Sequence, residues 1–295
     1  MILRFTVTEQ VMLACLIAEQ GDIVTPDGPG QPGQRPPAAQ QPAAVWERRY
    51  GQLPVAAYAS GDALGAAAAA GFAATVGDVL RSRPTVAVIL ATGNSQLPFF
   101  RALRKRSDIE WSRIDVFHMD EYLGMAPDHP ASFRRYLREQ LVDAVGPRQF
   151  HPMRGDAGDV HEEIRRYTGL LSEFKPHICV LGIGENGHLA FNDPPAVFTT
   201  SELVHLVELD EACRRQQWTE GHFPALDAVP RRALSLTIPA LLRPSHVFAL
   251  VPEKRKAEAV RTALTGPVTP QCPASVLRET AGARLLVDLE SASLL

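Results

Sequence analysis

Short apolar runs without polar alternation are the feature that most limits what this chain can fold into. "TVAVILATG" (85–93), "HICVLGIG" (177–184) and "HVFALV" (246–251) are apolar at consecutive positions and end in polar turns. A strand with two apolar faces has to be covered on both sides, which is the condition of a strand in a parallel sheet flanked by helices. Segments of helical spacing lie between these runs. "SFRRYLREQLVDAVG" repeats Phe133, Leu137, Leu141 and Val145 on one face, and "SQLPFFRALRKRS", "DVHEEIRRYTGLLSEF" and "KRKAEAVRTALTG" behave alike, the last stopping at Gly266. "RIDVFHMDEYLG" (113–124) reads as a short strand and a polar turn, and "LVHLVEL", "RALSLTI" and "ARLLVDL" as further strands. The alternation predicts an α/β fold, a doubly wound and mostly parallel sheet with helices on both faces.

"GDALGAAAAAGFAATVGDVLRSR" reads as a close-packed helix, with the Asp62 carboxylate as its expected cap. Ahead of it, "VTPDGPGQPGQRPPAAQQPAA" (24–44) is too rich in Pro, Gly and Gln to bury apolar surface. The expected organisation is an N-terminal extension with this linker over residues 1–45 and one domain over residues 46–295.

A hydrophobic share of 45% in 295 residues is ample for one large core. The net charge of −3, with no basic stripe, argues against a nucleic-acid partner. No apolar stretch reaches the roughly 20 residues of a membrane span. The four cysteines are far apart and form no C-x-x-C pair, so neither a zinc site nor a disulfide framework is expected, and a reducing cytoplasm fits.

Ligands of an open parallel sheet bind at the carboxyl ends of its strands, and four polar clusters fall at such ends. Thr92-Gly93-Asn94-Ser95 follows the first apolar run. This is either an ordinary capping turn or an anion cradle of backbone N–H groups and hydroxyls. It is not a Walker loop, since no G-K-[ST] follows. His118-Met119-Asp120-Glu121-Tyr122 places two carboxylates side by side, and adjacent residues point apart, so at most one should enter a cleft. "GIGENG" (182–187) fits G-x-G-x-x-G but no helix pattern follows, which speaks against dinucleotide binding. In the same stretch His188, with Asp193 five residues on, is either a structural histidine or an oriented general acid/base. Glu253-Lys254-Arg255-Lys256 follows a later apolar run, and its Lys254 and Lys256 open a helix, where a cation is unhelpful unless an anion sits nearby.

Taken together, "ATGNS", "FHMDEYLGM" and "LGIGENGHLAFNDPP" resemble the glucosamine-6-phosphate deaminase/isomerase family, in the larger group that includes 6-phosphogluconolactonase. The likeness runs from about Val55 to the C-terminus. It implies a modified, Rossmann-like doubly wound sheet, a small sugar phosphate as substrate, and no metal or organic cofactor. The implied reaction takes an aminosugar phosphate to fructose 6-phosphate and ammonia. Asp120 would match the base that moves a proton between C2 and C1, and His188 the group that assists ring opening, with Asn186 and Asp193 as its companions. Thr92, Gly93, Asn94, Ser95 and Lys256 would match phosphate contacts, with Glu121 and Gly187 also expected at the substrate and Arg214 or Arg215 as further phosphate candidates. Asn186 stands where some members carry Asp, which leaves His188 more dependent on Asp193 or on Glu185. Asp193 is one methylene shorter than the Glu of many deaminases, so a bridging water to the imidazole is expected. A lactonase and a non-catalytic sugar-phosphate binder are the alternatives, and self-association is left open.

Overall fold

The computed structural model describes residues 42–219, 221 and 223–295. The extension expected before Trp46 lies outside the described residues up to position 41. From Trp46 the chain forms β1 (Trp46–Tyr50), β2 (Leu53–Tyr58), α1 (Gly61–Leu80), β3 (Val86–Leu90), α2 (Leu97–Arg104), β4 (Ile114–His118) and β5 (Asp120–Tyr122). Then come α3 (Phe133–Leu137), α4 (Asp143–Val145), β6 (Gln149–His151), α5 (Val160–Phe174), β7 (Ile178–Leu181) and β8 (Val204–Glu208). The last elements are α6 (Glu211–Thr219), β9 (Arg232–Leu236), α7 (Ile238–Leu242), β10 (His246–Val251), α8 (Ala257–Thr265) and β11 (Ala283–Asp288).

Eight strands form one sheet in the order β1-β2-β11-β10-β7-β3-β4-β6. Every neighbouring pair is parallel except the β1–β2 hairpin at the edge. The central strands β3 and β7 are buried at every residue, as their unbroken apolar runs require. Their side chains alternate between two cores. Val86, Val88, Leu90, Ile178, Val180, Phe248 and Leu250 pack under α1 and α2. Ile89, Cys179, Leu181, Ala249 and Val251 pack with Tyr167 and Leu171 of α5 and with Val260 and Leu264 of α8. Each fully buried Val, Leu or Ile contributes about 1.5–3 kcal/mol. This is the doubly wound architecture expected from the sequence.

Three local expectations change. Asp62 does not cap α1. Ser60 does, accepting from the Ala63 N–H at 3.2 Å, while Asp62 pairs with Arg101 at 2.7 Å. The helix expected over 132–146 is interrupted by one π-type turn, Arg138–Val142. The polar turn expected after β4 is instead a strand. β5, β9 and β8 make a separate antiparallel sheet, with Asp120 opposite Ser235 and Tyr122 opposite Ala233. Among the described residues α1 is long and apolar enough to cross a bilayer, but its Leu64, Ala68, Phe72 and Val76 are buried in the core. At Gly65 α1 meets α2 so closely that a Cβ would lie 2.5 Å from the Pro98 carbonyl carbon.

Candidate active site

The carboxyl ends of β3, β7 and β10 open toward one cleft, and each exit has its own local chemistry. After β3, Gly93 turns the chain at φ +106°, a region open to glycine at little cost, and Asn94–Gln96 wind one 3₁₀ turn into α2. The Tyr136 hydroxyl donates to the Gly93 carbonyl at 2.6 Å, fixing that turn. After β10, Glu253 sits at φ +84°, which costs a non-glycine residue about 1–3 kcal/mol. The Asp288 carboxylate holds it there, accepting from the Glu253 N–H at 3.1 and 3.2 Å. Lys254–Lys256 then wind a 3₁₀ turn into α8, and Lys256 is buried against the cleft. Arg255 bonds Glu253 at 2.6 Å and Glu185 at 2.9 Å, joining this turn to the one after β7.

Strand β5 divides its two carboxylates between its faces, because successive side chains of a strand point apart. Glu121 is fully buried on the side away from the cleft. It accepts from the Ser132 hydroxyl at 2.8 Å, the Phe133 and Arg134 N–H groups at 3.1 Å, and the Tyr122 N–H at 3.0 Å. The Arg134 guanidinium pairs with it at 3.4 Å. Glu121, expected at the substrate, is thus a clamp on the start of α3. Asp120 faces the cleft, is only 6% exposed, and has one carboxylate oxygen, Oδ1, buried without a hydrogen-bond partner. Burial, reinforced by the charge of Glu121, pushes its acid well above the ordinary carboxylate range. Behind it, His118 is also buried, and burial lowers its pKa to about 3, so it stays neutral and its Nε2 accepts from the Met153 N–H at 2.7 Å.

The loop after β7 carries the imidazole. The Gly184 N–H donates to the His188 carbonyl at 2.9 Å, and the ring lies flat against Gly184, where a Cβ would come within 2.3–2.4 Å of three ring atoms. Only glycine fits there. Asn186 accepts from the His188 N–H through Oδ1 and donates from Nδ2 to Asp193 Oδ1, both at 3.0 Å. Nδ1 of His188 stands 3.1 Å from Asp193 Oδ1, an ion pair whenever the imidazole is protonated. No intervening water is needed, contrary to the expectation from the short side chain. Burial by itself would raise the Asp193 acid, but the His188 contact, with Asn186 and the Cys213 thiol, outweighs it and holds the acid below its usual range.

The cleft holds about 610 Å³ of empty space, part of it open solvent. Thr92, Gly93, Asn94, Ser95, Asp120, His188 and Lys256 line it together. Glu121, Asn186, Gly187 and Asp193 do not. Asn186 and Asp193 stand behind the imidazole. Gly187, at φ +86°, packs its Cα toward the Cys272 sulfur. Arg214 is spent on the Leu226 and Val229 carbonyls and Arg215 on Glu211, so neither reaches the cleft. The residues missed from sequence are Arg255, Gln216, Gln217 and Phe133. Gln217 is held by the Tyr122 hydroxyl at 2.7 Å. The Gln pair directly follows Arg214 and Arg215, and nothing in its local pattern marks it.

A family model described as glucosamine-6-phosphate isomerases/6-phosphogluconolactonase matches residues 59–286. A glucosamine-6-phosphate deaminase of Exiguobacterium sibiricum is 34% identical over 218 residues, which is 74% of this chain and 84% of that protein. Glucosamine-6-phosphate deaminase 1 of Bacillus subtilis is 34% identical over 224 residues, 74% of this chain and 90% of that protein. Among solved structures, a monomeric glucosamine-6-phosphate deaminase superposes with a TM-score of 0.76 at 31% identity, covering 82% of this chain and 99% of that one. A 6-phosphogluconolactonase of Shewanella baltica shares the fold, with a TM-score of 0.66 at 19% identity over 79% of this chain and 96% of its own.

Proposed function

The chain belongs to the family of glucosamine-6-phosphate isomerases and 6-phosphogluconolactonases, and from that premise we infer its reaction and the part each residue plays. The protein is an enzyme, an aminosugar-phosphate deaminase/isomerase that converts glucosamine 6-phosphate or a close relative to fructose 6-phosphate and ammonia. The observation that carries the assignment of roles is the unpartnered buried carboxylate of Asp120 on the same cleft wall as His188.

The phosphate, nearly doubly charged, lies in the exit turns at Thr92–Ser95 and Lys256. Those turns supply N–H groups, hydroxyls and an ammonium. Binding energy spent there holds the reacting carbons in place. His188 delivers a proton to the ring oxygen, and the Asp193 carboxylate at 3.1 Å steadies the imidazolium. Asp120 removes the C2 proton of the opened chain and returns it to C1 through an enolamine. Its raised acid makes it a stronger base than an exposed aspartate, with a pKa nearer the working pH. Ammonia then leaves as water adds at C2.

Incubation of the pure protein with glucosamine 6-phosphate, with ammonia and fructose 6-phosphate assayed in parallel, tests this. Equal amounts of both products are expected, and retained sugar-phosphate binding without either product would overturn it. The lactonase alternative rests on the joint family model and on a solved lactonase that is 19% identical, whereas the relatives at 34% identity are deaminases. A cytoplasmic location fits three cysteines that are free and buried. Self-association is a separate proposal, to be measured by light scattering, since the solved deaminase it most resembles among those above is described as monomeric.

A further inference from the structure

We propose that His188, Asp193 and Cys213 form a binding site for a soft divalent cation, with zinc the ion that fits, and that loading it switches the enzyme off. The switching, though not the binding, rests on the role given to His188 above.

One donor atom from each residue, an imidazole nitrogen, a carboxylate oxygen and a thiol sulfur, lies within 4.8 Å of the other two. His188 Nδ1 and Asp193 Oδ1 are already 3.1 Å apart. Two ligands at zinc bond lengths of about 2.0–2.1 Å have nearly that separation in a tetrahedral site. Bringing the sulfur to its bond length of about 2.3 Å takes a shift of about 1 Å in the Cys213 side chain.

A second observation points the same way. Nδ1 of His188 and Oδ2 of Asp193 are buried with no hydrogen-bond partner, in a histidine only 8% exposed. Buried polar atoms are ordinarily satisfied, so these two unmet ones on neighbouring side chains ask for an occupant. The site also has access. His188 lines the active cleft, and Cys213 lines a neighbouring opening with Glu185, Asn186 and Gln216. Asn186 braces the ligand set from behind, bonded to both the Asp193 carboxylate and the His188 backbone. Nitrogen, oxygen and sulfur donors with an open fourth position suit zinc, whereas magnesium and calcium require oxygen.

Binding is written with its protons. The Cys213 thiol loses its proton to solvent and binds as thiolate. The neutral imidazole keeps its one proton on Nε2 and binds through Nδ1. Asp193 binds as the carboxylate it already is. One proton is released per ion. An imidazole whose Nδ1 is held by the ion has lost the Asp193 carboxylate that steadied its charge, so it cannot form the imidazolium that gives a proton to the sugar ring.

The full chain, stripped with a chelator, is titrated with Zn²⁺ for turnover and with Co²⁺ as a spectroscopic stand-in. Expected are one Co²⁺ per chain with a thiolate charge-transfer band in the near ultraviolet, and turnover lost on adding Zn²⁺ and restored by chelation. In Cys213→Ser, checked for folding by near-UV circular dichroism and referred to its own metal-free rate, the band should vanish. The Zn²⁺ needed for half inhibition should rise at least about tenfold, the usual scale for a lost metal-site partner. A band that persists in Cys213→Ser, or equal inhibition of both proteins, overturns the proposal. A cobalt band that depends on Cys213, in a protein that releases no ammonia from glucosamine 6-phosphate, supports the cation site and overturns the activity reading instead.

Discussion

The two faces of β5 treat neighbouring carboxylates in opposite ways. Glu121 accepts four hydrogen bonds and an ion pair and is fully buried. Asp120, one residue earlier, is nearly as buried yet keeps an oxygen with no partner. Burial raises both acids, but for Glu121 the donors from residues 132–134 pull back against it, whereas nothing of the kind is found at Asp120. One face therefore spends its carboxylate on holding the fold together. The other holds a carboxylate in readiness at a cost in stability, a pattern that marks functional sites.

Substitution at the two positions should separate these roles, beginning with the largest effect. Asp120→Asn should lower kcat by about a thousandfold, or about 4 kcal/mol, while sugar-phosphate binding measured by calorimetry is retained. Unchanged turnover would remove Asp120 as the base. Glu121→Gln should instead destabilise the fold by about 3 kcal/mol in urea melts, because it breaks a buried ionic cluster, with turnover per folded molecule much less affected. If the two substitutions gave the same signature, the contrast between the faces would be gone.

Gly184→Ala probes the imidazole and should cost about a hundredfold in kcat. Its new methyl would fall 2.3–2.4 Å from the ring atoms, so the ring must move off its seat beside Asp193. Lys256→Met sharpens the comparison from the binding side. KM should rise about tenfold with kcat nearly constant, the signature of lost uniform binding, as read from initial rates.

The smallest expected effect is on stability. The Asp120 acid is raised in the folded state above its ordinary 3.8, so the folded protein holds a proton the unfolded chain has lost. Its favourable contribution is complete below that ordinary value and is lost as pH rises through the folded pKa. Asp120→Asn should therefore raise the melting temperature at neutral pH, by a margin that shrinks toward zero as the pH is lowered to about 4. Activity of the unaltered enzyme should likewise fall on the acid side as Asp120 takes up its proton.

The strands of the large sheet were legible because burial on two faces leaves an unbroken apolar run, and β3, β7 and β10 carry one each. The exit turns were legible because glycine and polar residues crowd where such a run stops. The small sheet was not. β5 has three residues, Asp-Glu-Tyr, whose polarity reads as a turn, and only its pairing with β9 makes it a strand. That pairing is also what decides which carboxylate faces the cleft. Alternation in "DEY" predicted that at most one would, but not which. Arg255, Gln216 and Gln217 were missed for a related reason. Arg255 sits in the "EKRK" cluster between two lysines whose charge gives the same local signal, and the glutamines reach the cleft through the placement of α6, a tertiary outcome with no local signal.

Arg255 joins the loop carrying the imidazole to the turn presenting Lys256, gripping Glu185 with one arm and Glu253 with the other. Its charge thus arrives at the cleft already balanced by two anions. On the roles proposed for His188 and Lys256, an approaching phosphoester would meet a strut there, which keeps catalyst and anchor in step, more than it would meet a lure. Capture would then be left to dipoles and a sheltered ammonium, which dissolved salt weakens less than it would an exposed patch of arginines.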